Sequence, residues 1–311
     1  MSTPLAAVRR LIPPLKPERY KGQAGRIGIL GGSEEYSGAP YFAGISALKA
    51  GADLCHVFCA KSAGIVIKSY SPELIVHPCL STERPQSTSA IETGSEASQA
   101  AAKVSALFGR LHVLVVGPGL SRDRVMLDTA KEVILAARRH NLPLIIDADG
   151  LFLVQEDPSV IHQYRRAVLT PNANEFKRLC EKHDIDVDHD GTAAQKLSKA
   201  LGNVTIVQKG AVDVITDGLN VLKCDIGGSN RRCGGQGDLL AGSLATFLGW
   251  STHFPADNAS EASPQLSACY GACVLTRQCS AAAFQRKGRS MMTTDMIEEI
   301  GSVFGQLFPD S

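Results

Sequence analysis

The sequence predicts an α/β fold with a mainly parallel central sheet, and three observations carry that expectation. Short apolar runs alternate with helical stretches along most of the chain. The runs are continuously apolar, as strands buried on both faces of a sheet must be. Most of the runs end at Gly, Asp or Pro, the residues that turn a strand into a loop.

In order, residues 1–20 form a short basic arm opposed only by Glu18. It has no apolar core of the secretory type, and Pro13, Pro14 and Pro17 break the amphipathic helix of a mitochondrial presequence. A strand at 26–30 leads through GGSEEYSGAP to a helix at 41–50, followed by strands at 54–58 and 74–77. A polar Ser/Thr-rich connection, 80–94, precedes a helix rich in Ala and a strand at 112–116. The same alternation continues with a helix at 125–140 and a strand at 143–146 entering DADG. Strands at 167–169 and 204–207 enter TPN and QKG. Segments 213–216 and 220–224, joined by Asp217-Gly218, read as an antiparallel hairpin, and helices at 238–250, 264–286 and 294–308 close the chain. No linker or composition break divides residues 1–311, so one domain is expected.

Composition narrows function by exclusion. Lys plus Arg number 32 against 31 Asp plus Glu, a net charge of +1 that gives no grip on nucleic acid or an anionic membrane. Aromatic residues are only 5% of the chain, too few for base-stacking platforms. No apolar run reaches the roughly 18 residues of a membrane span. Nine cysteines without a CxxC pair point to reduced thiols in a cytoplasmic protein, with a mitochondrial isoform left open.

The chemistry concentrates in Asn230-Arg231-Arg232-Cys233-Gly234-Gly235-Gln236-Gly237-Asp238, which runs straight into an apolar helix. Glycines let the backbone approach a ligand, and the helix mouth presents amides that favour anions. Asp238 is therefore the candidate general base for a hydroxyl attacking a phosphate, with the amides at Gly235, Gln236 and Gly237 holding phosphoryl oxygens. A plain helix cap is the competing reading. The turn is not a P-loop, since the chain has no Gly-Lys dipeptide. It is not a dinucleotide fingerprint either, because Gly117-Pro118-Gly119 has Arg122 where a third glycine belongs.

Other strand ends add to this centre, as expected of open α/β sheets. Asn172 and Glu175 open a helix, Glu175 within reach of a Mg²⁺-bound water, unless both merely cap it. Lys209-Gly210 suits a nucleotide phosphate. Asp147 and Asp149 serve either metal and substrate or an ordinary turn, and Gly117 and Gly119 allow close backbone approach. One match fails: residues 186–191 begin like an EF-hand loop, but Leu197 stands where the bidentate glutamate belongs.

Taken together, GRIGILGGSEEYSGAP, YSPELIVHP, VVGPGL, IDADGL, LTPNANEF, VQKG and RRCGGQGDLLAG resemble the ATP-dependent NAD(P)H-hydrate dehydratases, a ribokinase-like family, especially their eukaryotic branch. The likeness runs from about Leu11 to RKGRSMMTTDMI. It implies a three-layer α/β/α sandwich and the ATP-dependent repair of hydrated NADH or NADPH (NADPHX), with Mg²⁺ as cofactor and ATP as co-substrate. Asp238 would take the proton from the C6 hydroxyl as it attacks the γ-phosphate, and phosphate would then leave. A kinase of the same fold releasing a stable ester is the alternative. Carried over, the hydrate-binding positions are Gly119, Asn172, Ala173, Asn174, Glu175, Phe176, Lys177, Arg178 and Asp238, with Tyr36 and Ser37 closing over the substrate. The ATP positions are Lys209, Gly210, Ala211, Val212 and Asp213, and Gly228, Ser229, Asn230, Arg231, Arg232, Cys233, Gly234, Gly235, Gln236 and Gly237. The resemblance also implies an NAD(P)HX epimerase as functional companion and leaves homo-oligomerisation open.

Overall fold

The structure, a computed structural model, describes residues 3–82, 90–187, 192–254 and 263–309, without side chains at 90–93. A nine-stranded sheet organises it: β1 (Arg26–Leu30), β2 (Leu54–Ala60), β3 (Leu74–Leu80), β4 (Val113–Val116), β5 (Leu144–Ile146), β6 (Ala167–Leu169), β7 (Thr205–Gln208), β8 (Asp213–Thr216) and β9 (Val221–Cys224). Their order is β3-β2-β1-β4-β5-β6-β7-β8-β9. All neighbours from β3 to β7 are parallel, and β8 and β9 add antiparallel. The expected hairpin is present, its turn tied by Asp217 Oδ1 accepting from the amides of Leu219 and Asn220 at 2.9 and 2.7 Å. The continuous apolar runs are explained: β4, β5 and β6 are buried at every position.

The helices gather in two groups. α1 (Pro4–Leu11), α2 (Gly38–Lys49), α9 (Gln236–Ser251), α10 (Pro264–Lys287) and α11 (Thr293–Leu307) pack together. α4 (Ala90–Ser105), α5 (Arg124–Arg139), α6 (Asp149–Glu156), α7 (Ala173–Lys182) and α8 (Thr192–Ala200) form the second group. α3 (Lys61–Tyr70) lies against β2 and β3. A sheet clad by two helix groups is the α/β layering that buried parallel strands require.

Three elements differ from the sequence reading. The arm carries α1, whose Val8 and Leu11 are buried against the core; Thr3 caps it and Pro4 opens it, and the prolines that break a helix come only after it ends. The polar connection 80–94 is part strand and part helix, since β3 runs to Leu80 and α4 begins at Ala90; its centre, 83–89, lies outside the described residues, as does 188–191 of the acidic loop. The short helices α3, α6 and α8 were not read from the sequence.

Winding reverses between β1 and β4, so the loops after these strands face each other. The amides of Gly32 and Ser33 donate to the Gly119 carbonyl at 3.0 and 2.8 Å, joining the two loops at this switch point. α9 passes through the core with Leu239–Ser251 buried throughout. Each buried leucine there contributes about 1.5–3 kcal/mol. Gly242 lets α9 approach the backbone of α2 at Ala43, and Thr246 Oγ1 donates to the Ala47 carbonyl at 2.9 Å. A helix so fixed holds its first turn, and Asp238, in one place.

Candidate functional site

α9 starts where the glycine-rich turn predicted. Gly235 is the N-cap in a left-handed conformation (φ 92°) that a side chain would strain, and a Cβ there would also meet the Phe42 ring. Asp238 is the third residue of the helix, among first-turn amides that lack helical acceptors. Burial raises its carboxyl well above the ordinary carboxylate range, Asp147 pushes the same way, and Lys209 opposes them.

Asp147, at the end of β5, is buried and accepts from Lys209 Nζ at 2.9 Å and from Thr170 Oγ1 at 2.8 Å. The pair lies under the mouth of α9, since a Cβ on Gly237 would stand 3.4 Å from Lys209 Nζ and 3.7 Å from Asp147 Oδ2. Burial disfavours the Lys209 ammonium, but Asp147, Glu175 and Asp238 outweigh it, and its pKa is raised. One lysine thus faces three carboxylates contributed by three different segments.

Asn172 and Glu175 form a full capping box on α7. Asn172 Oδ1 accepts from the amides of Asn174 and Glu175, and Glu175 Oε2 accepts from the Asn172 amide at 2.8 Å. Glu175 caps α7, and burial, reinforced by Asp147 and opposed by Lys209, raises its pKa. Among the described residues no three His, Cys, Asp or Glu converge as a metal cage. The carboxylates of Asp147, Glu175 and Asp238 around Lys209 are hard oxygen donors of the kind that suit Mg²⁺.

The other substrate positions divide. Gly119 (φ 62°) abuts the Tyr36 backbone, so a side chain there would collide with it, and Tyr36 itself is exposed. Ser37 Oγ and Tyr70 Oη are hydrogen-bonded at 3.0 Å. Ala173 and Asn174 are exposed. Phe176 is 1% exposed, so its ring belongs to the core and only its backbone is available to a ligand. Lys177 pairs with Glu181 at 3.8 Å on the outer face. Arg178 and Glu175, by contrast, line a small cavity of about 120 Å³ with Arg122, Asp149, Phe152 and Gln155. Arg122 lies 4.3 Å over the Phe152 ring and 3.8 Å from Asp149, which also accepts from the Ser121 amide. Burial raises the Asp149 carboxyl, with Ser121 and Arg122 opposing.

The nucleotide positions form one connected rim. Asp213 is buried and bridges, its Oδ1 accepting from the Gly210 amide at 3.0 Å and its Oδ2 from Arg277 Nε at 2.7 Å. Arg277 also donates to the carbonyls of Gly210, Ala211 and Ile226, at 2.7, 3.0 and 3.2 Å, and its backbone lies under Gly228. The Asp213 carboxylate is thus committed within the protein and acts by shaping the 209–213 loop, leaving Val212, 41% exposed, as the apolar surface there. Ser229 Oγ pairs with Ser280 Oγ at 2.7 Å, and Arg232 donates to the Ser229 carbonyl at 2.6 Å. Asn230 and Gly234 are exposed, Arg231 reaches the Met291 carbonyl at 3.4 Å, and Cys233 lies 3.5 Å from Thr293 Oγ1. Gln236 returns to the Arg231 carbonyl at 3.1 Å.

Arg277, Arg122, Phe152 and Gln155 were not found from sequence. Arg277 sits in the middle of a 24-residue helix with no motif around it, and the others reach the site only through packing. A helical-phase argument would have found Phe176, because Phe176, Leu179 and Cys180 form the buried stripe of α7.

The chain is 50% identical over 311 residues to the ATP-dependent (S)-NAD(P)H-hydrate dehydratase of Homo sapiens, covering 99% of this chain and 85% of the relative. It is 52% identical over 311 residues to that of Danio rerio, covering 99% and 90%. Among solved structures, a ribokinase-like superfamily protein from Enterococcus faecalis V583 superposes with a TM-score of 0.76 at 20% identity, covering 99% of this chain and 95% of that one. An ADP/ATP-dependent NAD(P)H-hydrate dehydratase from Bacillus subtilis, co-crystallised with ATP/Mg²⁺, gives 0.67 at 18% identity, covering 97% of each chain. These two speak for the fold, which is ribokinase-like. The family model of NAD(P)H-hydrate dehydratase matches residues 27–302, and the chain belongs to that family.

Proposed function

We propose that this protein dehydrates the S epimer of hydrated NADH and NADPH back to NADH and NADPH at the expense of ATP, as its relatives are named for doing. The observation that carries the reading is the carboxylate of Asp238 at the mouth of a buried helix, beside Lys209 and Asp147. Hydroxide leaves poorly and phosphate leaves well, so the reaction goes through phosphorylation of the C6 hydroxyl. Asp238, its basicity raised by burial, accepts the hydroxyl proton as that oxygen attacks the γ-phosphorus. The first-turn amides of α9 and Lys209 face the transferring phosphoryl oxygens. The ring nitrogen lone pair then expels phosphate and the C5 proton is lost. Products are the reduced nicotinamide, ADP and phosphate.

Glu175 and the surrounding carboxylates would hold Mg²⁺, which when bound would supply charge neutralisation to the phosphates. Val212 offers a flat apolar contact for the nucleotide base, with Arg277 and Asp213 keeping its loop in shape. Tyr36 and Gly119 border the hydrate, and Arg122 and Arg178 offer two guanidinium groups to its phosphates. The balanced net charge and reduced cysteines fit a cytoplasmic enzyme, acting beside an epimerase that supplies the S form. Among the described residues, no helix is long and apolar enough to cross a membrane.

Incubation with hydrated NADH, ATP and Mg²⁺ tests the reading. Return of the reduced-nicotinamide absorbance with matching ADP is expected. ADP formed together with a stable phosphate ester would instead indicate a kinase.

A further inference from the structure

A second pocket lies at the opposite end of the sheet from the site above. It occupies about 500 Å³ between the chain before β1, the start of β4 and the end of α9, within the range of roughly 300–1,000 Å³ typical of small-molecule sites. Arg10, Arg19, Arg26, His112 and His253 line it, together with the rings of Tyr20, Trp250 and Phe254. Among the described residues that line it, none is a carboxylate. Asp53 is engaged elsewhere, its Oδ2 accepting from the amides of Gly22 and Ala24 at 2.7 and 2.9 Å.

The pocket is built rather than incidental. Arg26 is held by the carbonyls of Arg110 and Gly22, and Trp250 Nε1 donates to the Ala24 carbonyl. Tyr20 is 68% exposed and Phe254 41%, two unpacked rings at the opening. His112 is half-buried beside two of these basic groups. Burial, then Arg26, then His253 lower its imidazole to about 4, with only Asp53 opposing.

We infer that this pocket binds an organic phosphate carrying a planar ring, of nucleoside-monophosphate size. Guanidinium groups suit phosphate oxygens and stack on flat rings, and the exposed aromatics give such a ring its surface. The inference is independent of the proposed activity. Asp238 opens α9 and Trp250 lies twelve residues further on, about 18 Å along the helix axis.

Trp250 is the chain's single tryptophan and lines this pocket, so its fluorescence is a probe of occupancy once the catalytic site is saturated. The test saturates the catalytic site with a non-hydrolysable ATP analogue and Mg²⁺, then titrates with AMP. A saturable change in Trp250 emission is expected, with adenosine failing to reproduce it and Arg19→Glu weakening it about tenfold or more. The Asp238→Asn variant should respond like the parent, and the His112 ring protons should titrate at higher pH with AMP bound. No saturable response at millimolar AMP, an equal response to adenosine, or an Arg19→Glu variant that binds normally would overturn the inference.

Discussion

Lys209 Nζ stands 2.9 Å from Asp147 Oδ1, directly beneath Gly237 in the first turn of α9. The pair joins the ends of β5 and β7 under the helix that carries Asp238, so the candidate base is tuned by both members. Asp147 raises the Asp238 carboxyl and Lys209 lowers it.

Asp147→Asn should therefore separate tuning from positioning. Removing the negative neighbour lets Asp238 ionise at lower pH, so the acidic limb of the rate profile moves down in pH. Loss of the Lys209 partner should slow turnover about tenfold or more through misplacement. A pH–rate series checks both effects. A variant whose limb moves upward would contradict the assignment.

Asp238→Asn should reduce kcat by about 10²–10⁴-fold while raising the Tm. The sign follows from linkage: the folded-state pKa lies above the unfolded one, so ionising the carboxyl costs folding stability. That loss develops as pH rises from the ordinary carboxylate range through the raised value, and it is complete above it. Asparagine removes it. Thermal melts of parent and variant across that pH range should diverge as pH increases.

Arg277→Ala should leave the buried Asp213 carboxylate without its ion partner and free the 209–213 loop. Breaking such a pair costs about 3–5 kcal/mol. The double variant Arg277→Ala/Asp213→Ala should regain much of the lost stability, yet the KM for ATP should stay raised in both. Melting curves and ATP titrations read the two effects separately. Normal ATP affinity in the double variant would mean that the loop needs no clasp.

Gly119→Ala places a methyl group against the Tyr36 backbone at a positive φ. The loops after β1 and β4 would have to part, and kcat/KM for the hydrate should fall about tenfold or more. Steady-state kinetics with ATP held saturating measures this.

The sequence made the sheet legible because parallel strands buried on both faces leave unbroken apolar runs, as in Val113–Val116. The candidate site was legible for a related reason: parallel strands deliver their loops to one edge, which collects Gly119, Asp147, Asn172 and Lys209. Residues that act across the fold left no such trace. Arg277 reaches the 209–213 loop from α10, and Arg122 and Arg178 line one cavity because Arg122 lies over Phe152 of α6, which packs against α7. Helix α1 was obscured by the prolines that follow it, although Thr3 and Pro4 are ordinary helix-start signals. Side-chain direction was the other gap, and the NANE segment illustrates it. It opens a helix as expected, yet Asn172 and Glu175 cap that helix and Phe176 turns into the core.

In the proposed reaction the C6 oxygen of the hydrate attacks ATP and departs as part of phosphate, with Asp238 as the base. Hydrated NADH carrying oxygen-18 in its C6 hydroxyl puts this step to the test, read by mass spectrometry of the inorganic phosphate released during turnover with ATP. The label is expected in phosphate, one heavy oxygen for each NADH formed. Label recovered in water, with unlabelled phosphate, would rule this route out.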